Sequence, residues 1–447
     1  MPGFPITLDT PVEHVGPLPP EADVVIIGGG VIGVATAYYL AKKGLRPVVV
    51  EKGRIAGEQS SRNWGWIRQQ GRDLAELPIA MESNRLWQEI NEDLDEDIGL
   101  VRCGITYLTD SPDELARYEA WVQDAAPMGV DTRVLTADAL AKVIPGMTHR
   151  YLGALHTPSD MKAEPWLAVS AIARAAVRHG AVIVENCAAR ILDRAGGRVS
   201  GVVTEQGTVK APEVVVAGGA WSSLFLRNEG VNIPQLSVRA TVAATHALPE
   251  VHAGGAVDPS LAFRRRSDGA YTLAAAGFHE MFIGWDAFRH VPPYLPQLKR
   301  DAFGRRYLPA SPKGYPDAWG TARHWGGGAE TPFERMRILD PVPNTRRVEE
   351  IRQRFEALLP DVGKVGVSAA WAGMIDTMPD VVPVVDRAPI PGLSICTGMC
   401  GHGFGIGPAF GRIMADMVSG AEVGHDLHRF RLGRFTDGSK LELGPDL

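Results

Sequence analysis

The hydrophobic pattern is most regular near the start of the chain. Asp23-Val24-Val25-Ile26-Ile27 is an unbroken β-branched run, the pattern of a strand buried on both faces of a parallel sheet. Gly28-Gly29-Gly30-Val31-Ile32-Gly33 follows at once, then a helical stretch from Val34 to Lys43 that Gly44 stops. Pro47-Val48-Val49-Val50-Glu51 reads as a second strand ending in an acid. Further on, Trp166 to His179 predicts an amphipathic helix and Ala181 to Glu185 a strand. Arg198 to Thr204 and Gly207 to Lys210 predict a hairpin. Ala409 to Val418 reads as a helix with Pro408 in its first turn and Gly420 at its end. His290 to Gly328 is rich in Pro, Gly and aromatics. An irregular connection is expected there, with a lid or an interface arm as alternatives.

The opening strand–turn–helix–strand carries a specific chemistry. Gly28 allows a tight turn, Gly30 lets the backbone approach a pyrophosphate, and Gly33 lets helix and strand pack closely. The helix N-terminus offers free N–H groups and the positive end of a dipole to phosphates. Glu51 stands where a carboxylate can accept hydrogen bonds from a ribose. This arrangement binds a dinucleotide; by itself it does not separate FAD from NAD.

The residues after Glu51 resemble a known family. Gly57-Glu58-Gln59-Ser60-Ser61-Arg62-Asn63-Trp64-Gly65-Trp66-Ile67-Arg68 is similar to the loop beneath the flavin in the D-amino-acid oxidase superfamily, which includes glycine oxidase, monomeric sarcosine oxidase and the D-amino-acid dehydrogenases. Three more segments fit: Glu213 to Ala220 with Trp221; Trp371-Ala372-Gly373 followed by Pro379-Asp380; and Gly401-His402-Gly403-Phe404-Gly405-Ile406-Gly407-Pro408. The resemblance runs from about Asp23 to Val418. It implies non-covalent FAD, held by Gly28, Gly30, Gly33, Glu51, Lys52, Ser60, Ser61, Arg62, Asn63, Trp64, Gly65, Ala189, Gly218, Gly219, Trp221, Gly373, Gly401, Gly403, Phe404, Gly405 and Ile406. It also implies that the helix after Gly401 points its N-terminus at the pyrimidine side of the flavin.

The implied fold is α/β. A discontinuous, Rossmann-like FAD-binding domain of the glutathione-reductase type takes residues 22–95, 150–232 and 364–430. An α+β substrate domain with an antiparallel sheet, around Ser237 to His246 and Ala270 to Ala276, takes 96–149 and 233–363. Residues 1–21 and 431–447 are expected as tails, the first as a lead or an arm over the surface.

The implied reaction is hydride transfer from the carbon beside nitrogen to flavin N5, giving an imine that water hydrolyses. Arg68 aligns with an arginine that approaches substrate carboxylates in the family, and a guanidinium can grip a carboxylate with two hydrogen bonds. An ion pair with an acid such as Asp73 is the alternative role. The sequence departs from the family elsewhere. Gly405 stands where sarcosine oxidases carry a carboxylate-binding lysine, and Ile375-Asp376 replaces the arginine segment of many dehydrogenases. Asp376 could meet a cationic substrate group or hold a turn. His279 and His402 are polar candidates near the site. The strand Tyr271 to His279 lacks the lysine that assists reaction with oxygen in sarcosine oxidases, so the acceptor is oxygen or another molecule. Three other readings stay open: a 2-hydroxy-acid dehydrogenase, which needs a base such as His279 or His402, a flavin-carrying subunit of a heteromeric enzyme, and a nicotinamide enzyme.

Composition narrows the setting. The 447 residues are 45% hydrophobic and 22% charged with a net charge of -6, long enough for two joined domains. No basic stripe with interleaved aromatics is present, which argues against a nucleic-acid partner. Arg264-Arg265-Arg266 reads as a solvated loop or a loop–ligand contact. The four cysteines form no CxxC pair and no zinc spacing, so a reduced, cytoplasmic protein without metal is expected. No run of 18 apolar residues suggests a membrane span.

Overall fold

In the computed structural model, described over residues 4–300 and 305–444, the β-branched runs assemble into one sheet. Its strands lie in the order Val384–Arg387, Leu393–Thr397, Glu213–Val216, Val24–Ile27, Pro47–Val50, Val182–Val184. All neighbours are parallel except the first pair. Val24 to Ile27 are buried on both faces, as their continuous apolar run requires. One face is covered by the helices Val31–Lys42, Pro165–Arg178 and Gly403–Ser419, which pack on one another. The other carries a three-stranded sheet, Ala189–Ala195, Arg198–Thr204 and Gly207–Lys210. The last two strands are the expected hairpin. The first was not legible: two register shifts break its alternation.

A second, larger sheet is mostly antiparallel. Its spine is Leu236–Thr245 paired with Val367–Thr377, from Leu236 opposite Thr377 to Thr245 opposite Val367. Tyr271–Ala274 and His279–Phe282 flank the spine. Gly153–Thr157 and Val367–Thr377 hydrogen-bond into this sheet. By sheet membership, the expected segments 150–232 and 364–430 therefore begin in the second sheet and cross into the first.

Several expectations need correction. The first helix starts at Val31, not Val34: Gly30 is its extended N-cap, and Gly33 lies inside it. The last starts at Gly403, so Pro408 is internal. A proline there removes a ladder N–H. The neighbouring helix bonds to the backbone beside it: Ser83 Oγ donates to the Gly405 carbonyl (2.8 Å) and accepts from Ala409 N (3.4 Å), while Trp87 Nε1 also donates to Gly405 O (3.1 Å). The stretch after His290 is more regular than expected. It holds a helix, Val291–Arg300, and a strand, Arg305–Leu308, parallel to His279–Phe282. Pro292 and Pro293 sit in the first turn of that helix, where no N–H is needed. The N-terminal arm is packed: Phe4 contacts Trp166 and Trp371, and Ile6 is buried. The expected C-terminal tail is also tied down, with Arg434 buried against Asp380 (2.8 Å).

Arg264 is no solvated loop residue. It lies on the strand Ala262–Arg265, is 1% exposed, and meets Glu164 through two bonds of 3.0 and 2.8 Å. Its Nε donates to the Trp64 carbonyl (2.6 Å). One buried ion pair therefore ties together the loop at Trp64, the second sheet and the start of the helix Pro165–Arg178. Removing one partner strands a buried charge. Glu164→Gln or Arg264→Met should lower unfolding free energy by about 3–5 kcal/mol, read from urea melts; a loss under 1 kcal/mol would refute this account.

Candidate active site

A cleft opens at the carboxyl ends of Val24–Ile27, Pro47–Val50 and Glu213–Val216, where open α/β sheets bind ligands. Gly28 turns the chain at φ +112°. A Cβ on Gly33 would fall 1.9 Å from the Gly28 carbonyl oxygen, so only glycine allows this contact. The first helix has no side-chain cap of its own; Val31 N donates to Ser60 Oγ instead (2.9 Å). Glu51, at the cleft wall, accepts from Gly29 N and Gly53 N, each at 2.7 Å. Burial pushes its carboxyl above the usual range, with Lys52 opposing. The Lys52 ammonium is spent within the protein, on Glu58 (2.5 Å) and the carbonyls of Met336 and Arg337 (3.0 Å each). Trp221 Nε1 also donates to Glu58 (3.0 Å). Gly30, Asn63, Ala189, Gly218, Gly219, Gly401, Gly403 and Phe404 complete the predicted residues on this cleft. Both helices that begin at Val31 and at Gly403 open their N-termini onto it.

Asp376 lines the same cleft, but its carboxylate faces backbone. It accepts from Gly398 N (2.8 Å), Met399 N (3.2 Å) and Gln235 Nε2 (3.2 Å). It holds the turn before the last helix. In that turn Cys400 sits at φ +50°, its thiol donating to Gly398 O (3.1 Å).

A second cavity, about 430 Å³, adjoins the first, within the size range of small-molecule sites. The two share Gln59, Asn63, Gly401 and Phe404. Trp64, Trp66, Tyr107 and Tyr118 wall it, and Arg68, His279 and His402 face it. The Arg68 guanidinium lies 5.1 Å from the Tyr107 ring centre and donates to Gln70 O (3.1 Å). Asp73, its expected alternative partner, pairs with Arg429 (3.2 Å).

Sequence reading missed two further groups. Arg72, four residues beyond Arg68, is buried on the same cavity, and its Nη1 has no hydrogen-bond partner. Burial and the neighbouring Arg68 push it down to about 10. Behind it, Glu76 is fully buried, 3.6 Å from both Arg72 Nε and His402 Nδ1. Burial would raise its carboxyl; His402 and Arg72 hold it below the usual range. The spacing R-x-x-x-R was the available signal, but it lay beyond the loop that the resemblance covered in detail.

The structure leaves some predicted residues off both cavities. Ser61 and Ile406 are buried in packing. Gly65, at φ +77°, lets the chain pass 2.4 Å from where its Cβ would meet the Ala163 carbonyl oxygen. A Cβ on Gly373 would fall 2.0 Å from Gln59 Oε1, so glycine there makes room for a residue at the junction. Gly405 receives Ser83 and Trp87 through its carbonyl. Arg62 edges the second cavity but is spent on Asp340 and on the carbonyls of Ala372 and Ile6 (3.0 Å each).

The sheet order, the glycine cradle and two convergent helix N-termini define a dinucleotide-binding protein with a second cavity beside the cofactor cleft. The profile of the DAO family, described as FAD dependent oxidoreductase, matches residues 23–417, and the chain belongs to that family. It is 27% identical to sarcosine oxidase subunit beta from Arthrobacter sp, over 94% of this chain and 92% of that one. It is 25% identical to glycine oxidase from Bacillus subtilis strain 168, over 92% and 97%. Among solved structures, L-amino acid deaminase from Proteus myxofaciens in complex with anthranilate superposes with a TM-score of 0.90, at 29% identity and 95% coverage of both chains.

FAD fits the cleft. The acid at the end of the second strand, the Cβ-free cradle and the two helix ends match its ribose, pyrophosphate and ring in kind. Gly33→Ala should cut flavin content of purified protein more than tenfold, measured by absorbance at the flavin band; full occupancy would sink this assignment. Burial, with Arg72 adding to it, also lowers His402 to about 4, and burial lowers His252 and His290 to about 4. Unfolded histidines titrate near 6.5. Between those values the unfolded chain binds protons that the folded one refuses, so stability falls as pH drops from about 6.5 to 4. The urea midpoint should be lower at pH 5 than at pH 7, and His402→Gln should narrow the gap.

Proposed function

We propose that the protein oxidises the C–N bond of a small amino acid. Bound FAD supplies the acceptor for the hydride leaving the carbon next to nitrogen, and the resulting imine is hydrolysed by water. The observation that carries this reading is the second cavity: it adjoins the cofactor cleft, is walled by aromatic rings, and presents two guanidiniums, Arg68 and Arg72. Among the described residues Arg68 has no ion-pair partner.

The remaining residues fit that chemistry. Arg68 binds the substrate carboxylate, and Arg72 adds positive charge beside it. Asp376 is occupied by backbone N–H groups, which disfavours a diamine held through that acid. Trp64, Trp66 and Tyr107 exclude water and press the substrate toward the junction at Asn63 and Phe404. Burial pushes His402 down to about 4, so it faces the cavity as a neutral polar group and adds no positive charge to that of the two guanidiniums. No lysine lines the cavity among the described residues, which supports an acceptor other than oxygen, or slow oxidase activity.

Two outcomes of one experiment separate this reading from its rivals. The yellow protein, freed of oxygen, is titrated with amino acids, N-methyl amino acids, diamines and 2-hydroxy acids while the flavin band is followed. Bleaching by amino acids is expected. Bleaching by 2-hydroxy acids alone, abolished in His402→Gln or His279→Gln, would move the reading to C–O oxidation. A band that no donor bleaches would favour a flavin-carrying subunit, a reading that the subunit relative from Arthrobacter keeps in view. Arg68→Met should raise KM for the amino acid at least tenfold, given about 1.5–3 kcal/mol for a charged hydrogen bond, while leaving an uncharged amine of the same shape little affected.

A further inference from the structure

The N-terminal arm is gripped by residues that line the two cavities. Arg62, on the edge of the second, donates from Nη2 to the Ile6 carbonyl (3.0 Å). Arg54, on the wall of the first, donates from Nε to the Thr10 carbonyl (2.7 Å) and from Nη2 to the Leu8 carbonyl (3.1 Å). Its Nη1 donates to Asn186 Oδ1 (2.7 Å). Glu185 adds a stitch that no step of the proposed reaction uses. It is buried at the carboxyl end of Val182–Val184, the edge strand of the first sheet, beside Glu51 at the end of Pro47–Val50. Its Oε2 accepts from Glu13 N (2.6 Å) and His14 N (2.9 Å), and its Oε1 accepts from Ile55 N (2.7 Å). One carboxylate thus joins the arm to the loop 52–58 through charge-assisted bonds, the stronger kind. Beyond it the arm runs on along open strand edges: Val15 bridges to Val184, and Glu21 to Lys210 on the outer strand of the three-stranded sheet.

The loop 52–58 bears on the cofactor cleft. It contains neither helix nor strand, and Lys52, Arg54, Ala56, Gly57 and Glu58 line the cleft. Ile55 and Ala56 also press on the glycine turn. A Cβ on Gly29 would fall 2.5 Å from Ile55 Cδ1, and Ala56 N donates to the Gly29 carbonyl (3.0 Å). Ala56 sits at φ +59°, a conformation that residues other than glycine seldom adopt and that their surroundings must impose. Lys52 fixes one end of the loop on the carbonyls of Met336 and Arg337. Arg54 and Glu185 fix its middle on the arm.

We propose that the N-terminal arm is a strap on the outer wall of the cofactor cleft, and that Glu185 is the positioning residue that couples its closure to retention of FAD. Glu185 does not line the cleft; it acts on the cofactor through Ile55 and Ala56. With the strap closed, the loop 52–58 is held against Gly29 in the shape the cofactor meets, and the cost of ordering it is met before binding. With the strap open, the loop loses its outer anchors and flavin leaves more readily. The inference goes beyond the proposed reaction and holds for any substrate; it requires only FAD in the first cleft.

The test compares the flavin-loaded protein with the same protein stripped of flavin. Coupling is reciprocal: if strap closure strengthens FAD binding, FAD must favour closure by the same factor. Hydrogen exchange at the amides of Glu13 and His14 should therefore slow when FAD binds, and amides of Leu236–Thr245 should change less. Glu185→Gln keeps the size of the side chain but turns one acceptor into a donor that faces N–H groups. It should weaken FAD binding about tenfold, read from the rise in flavin fluorescence as the loaded protein is diluted. The rise in melting temperature that FAD confers should shrink in this variant. A side chain that only stabilised the fold would lower the melting temperatures of loaded and stripped protein alike and leave that rise intact. That outcome, unchanged FAD affinity in the folded variant, or exchange at Glu13 and His14 that FAD does not slow, overturns the proposal. If the variant does not fold, hydrogen exchange in the unaltered protein carries the test.

Discussion

The site depends on how closely two helices approach. Gly403–Ser419 lies against Val31–Lys42 at a distance set by Gly407 and Gly411: a Cβ on the first would fall 2.6 Å from Val31 Cγ2, and on the second 2.4 Å from Ala35 Cβ. Because the contact is made at the first turns, both N-termini reach one cleft. Partial positive charge from two helix dipoles then converges on a single elongated ligand. Glycine at Gly33 repeats the device against the first strand. Small residues here are the means by which two separate stretches of chain, more than three hundred positions apart, make one binding surface.

The parts legible in the sequence are those governed by local rules. The opening strand, the glycine turn and the acid at Glu51 are adjacent in the chain, and their spacing alone constrains their geometry. The same holds for the hairpin ending at Lys210 and for Gly420, which ends its helix at φ +74°. What was not legible depends on partners distant in sequence. Pro408 looks like a helix start, but the helix runs through it, with Ser83 and Trp87 from another helix both donating to the Gly405 carbonyl nearby. Arg264 sits in a run of three arginines that reads as solvated; Glu164, a hundred residues earlier, converts it into a buried strap. Three prolines between His290 and Gln297 hide a helix, because two of them stand where a helix has no use for an N–H.

At the site the split is the same. Arg68 and His402 could be picked out from segments that resemble the family. Arg72 and Glu76 could not, since a buried arginine and a buried glutamate look like surface residues until their neighbours are known. Their burial changes the electrostatics of the second cavity. Arg68, Arg72 and neutral His402 face it, and Glu76 stands behind as the one carboxylate within 4 Å of Arg72 and His402 among the described residues. Glu114, also on the wall, is engaged by Thr109 (2.5 Å). Arg72 Nη1 has no hydrogen-bond partner there, and an unsatisfied charged donor is costly in a place with little water. On the proposed reading, an anionic group on the substrate would relieve that cost.

This unsatisfied donor also bears on selectivity. On the proposed reading, a substrate without a carboxylate would leave Arg72 Nη1 without a partner, whereas an amino acid would give Arg68 and Arg72 a shared one. Such discrimination would draw on the penalty of that unsatisfied donor, and so would need no lysine at Gly405 and no arginine at Ile375. On the proposed reading, the anion would be met from the loop after Trp66, and Gly405 and Ile375 supply no cation from the last helix or the strand Val367–Thr377. The turn before that helix is held by Asp376, and its strained Cys400 places Gly401 where both cavities meet.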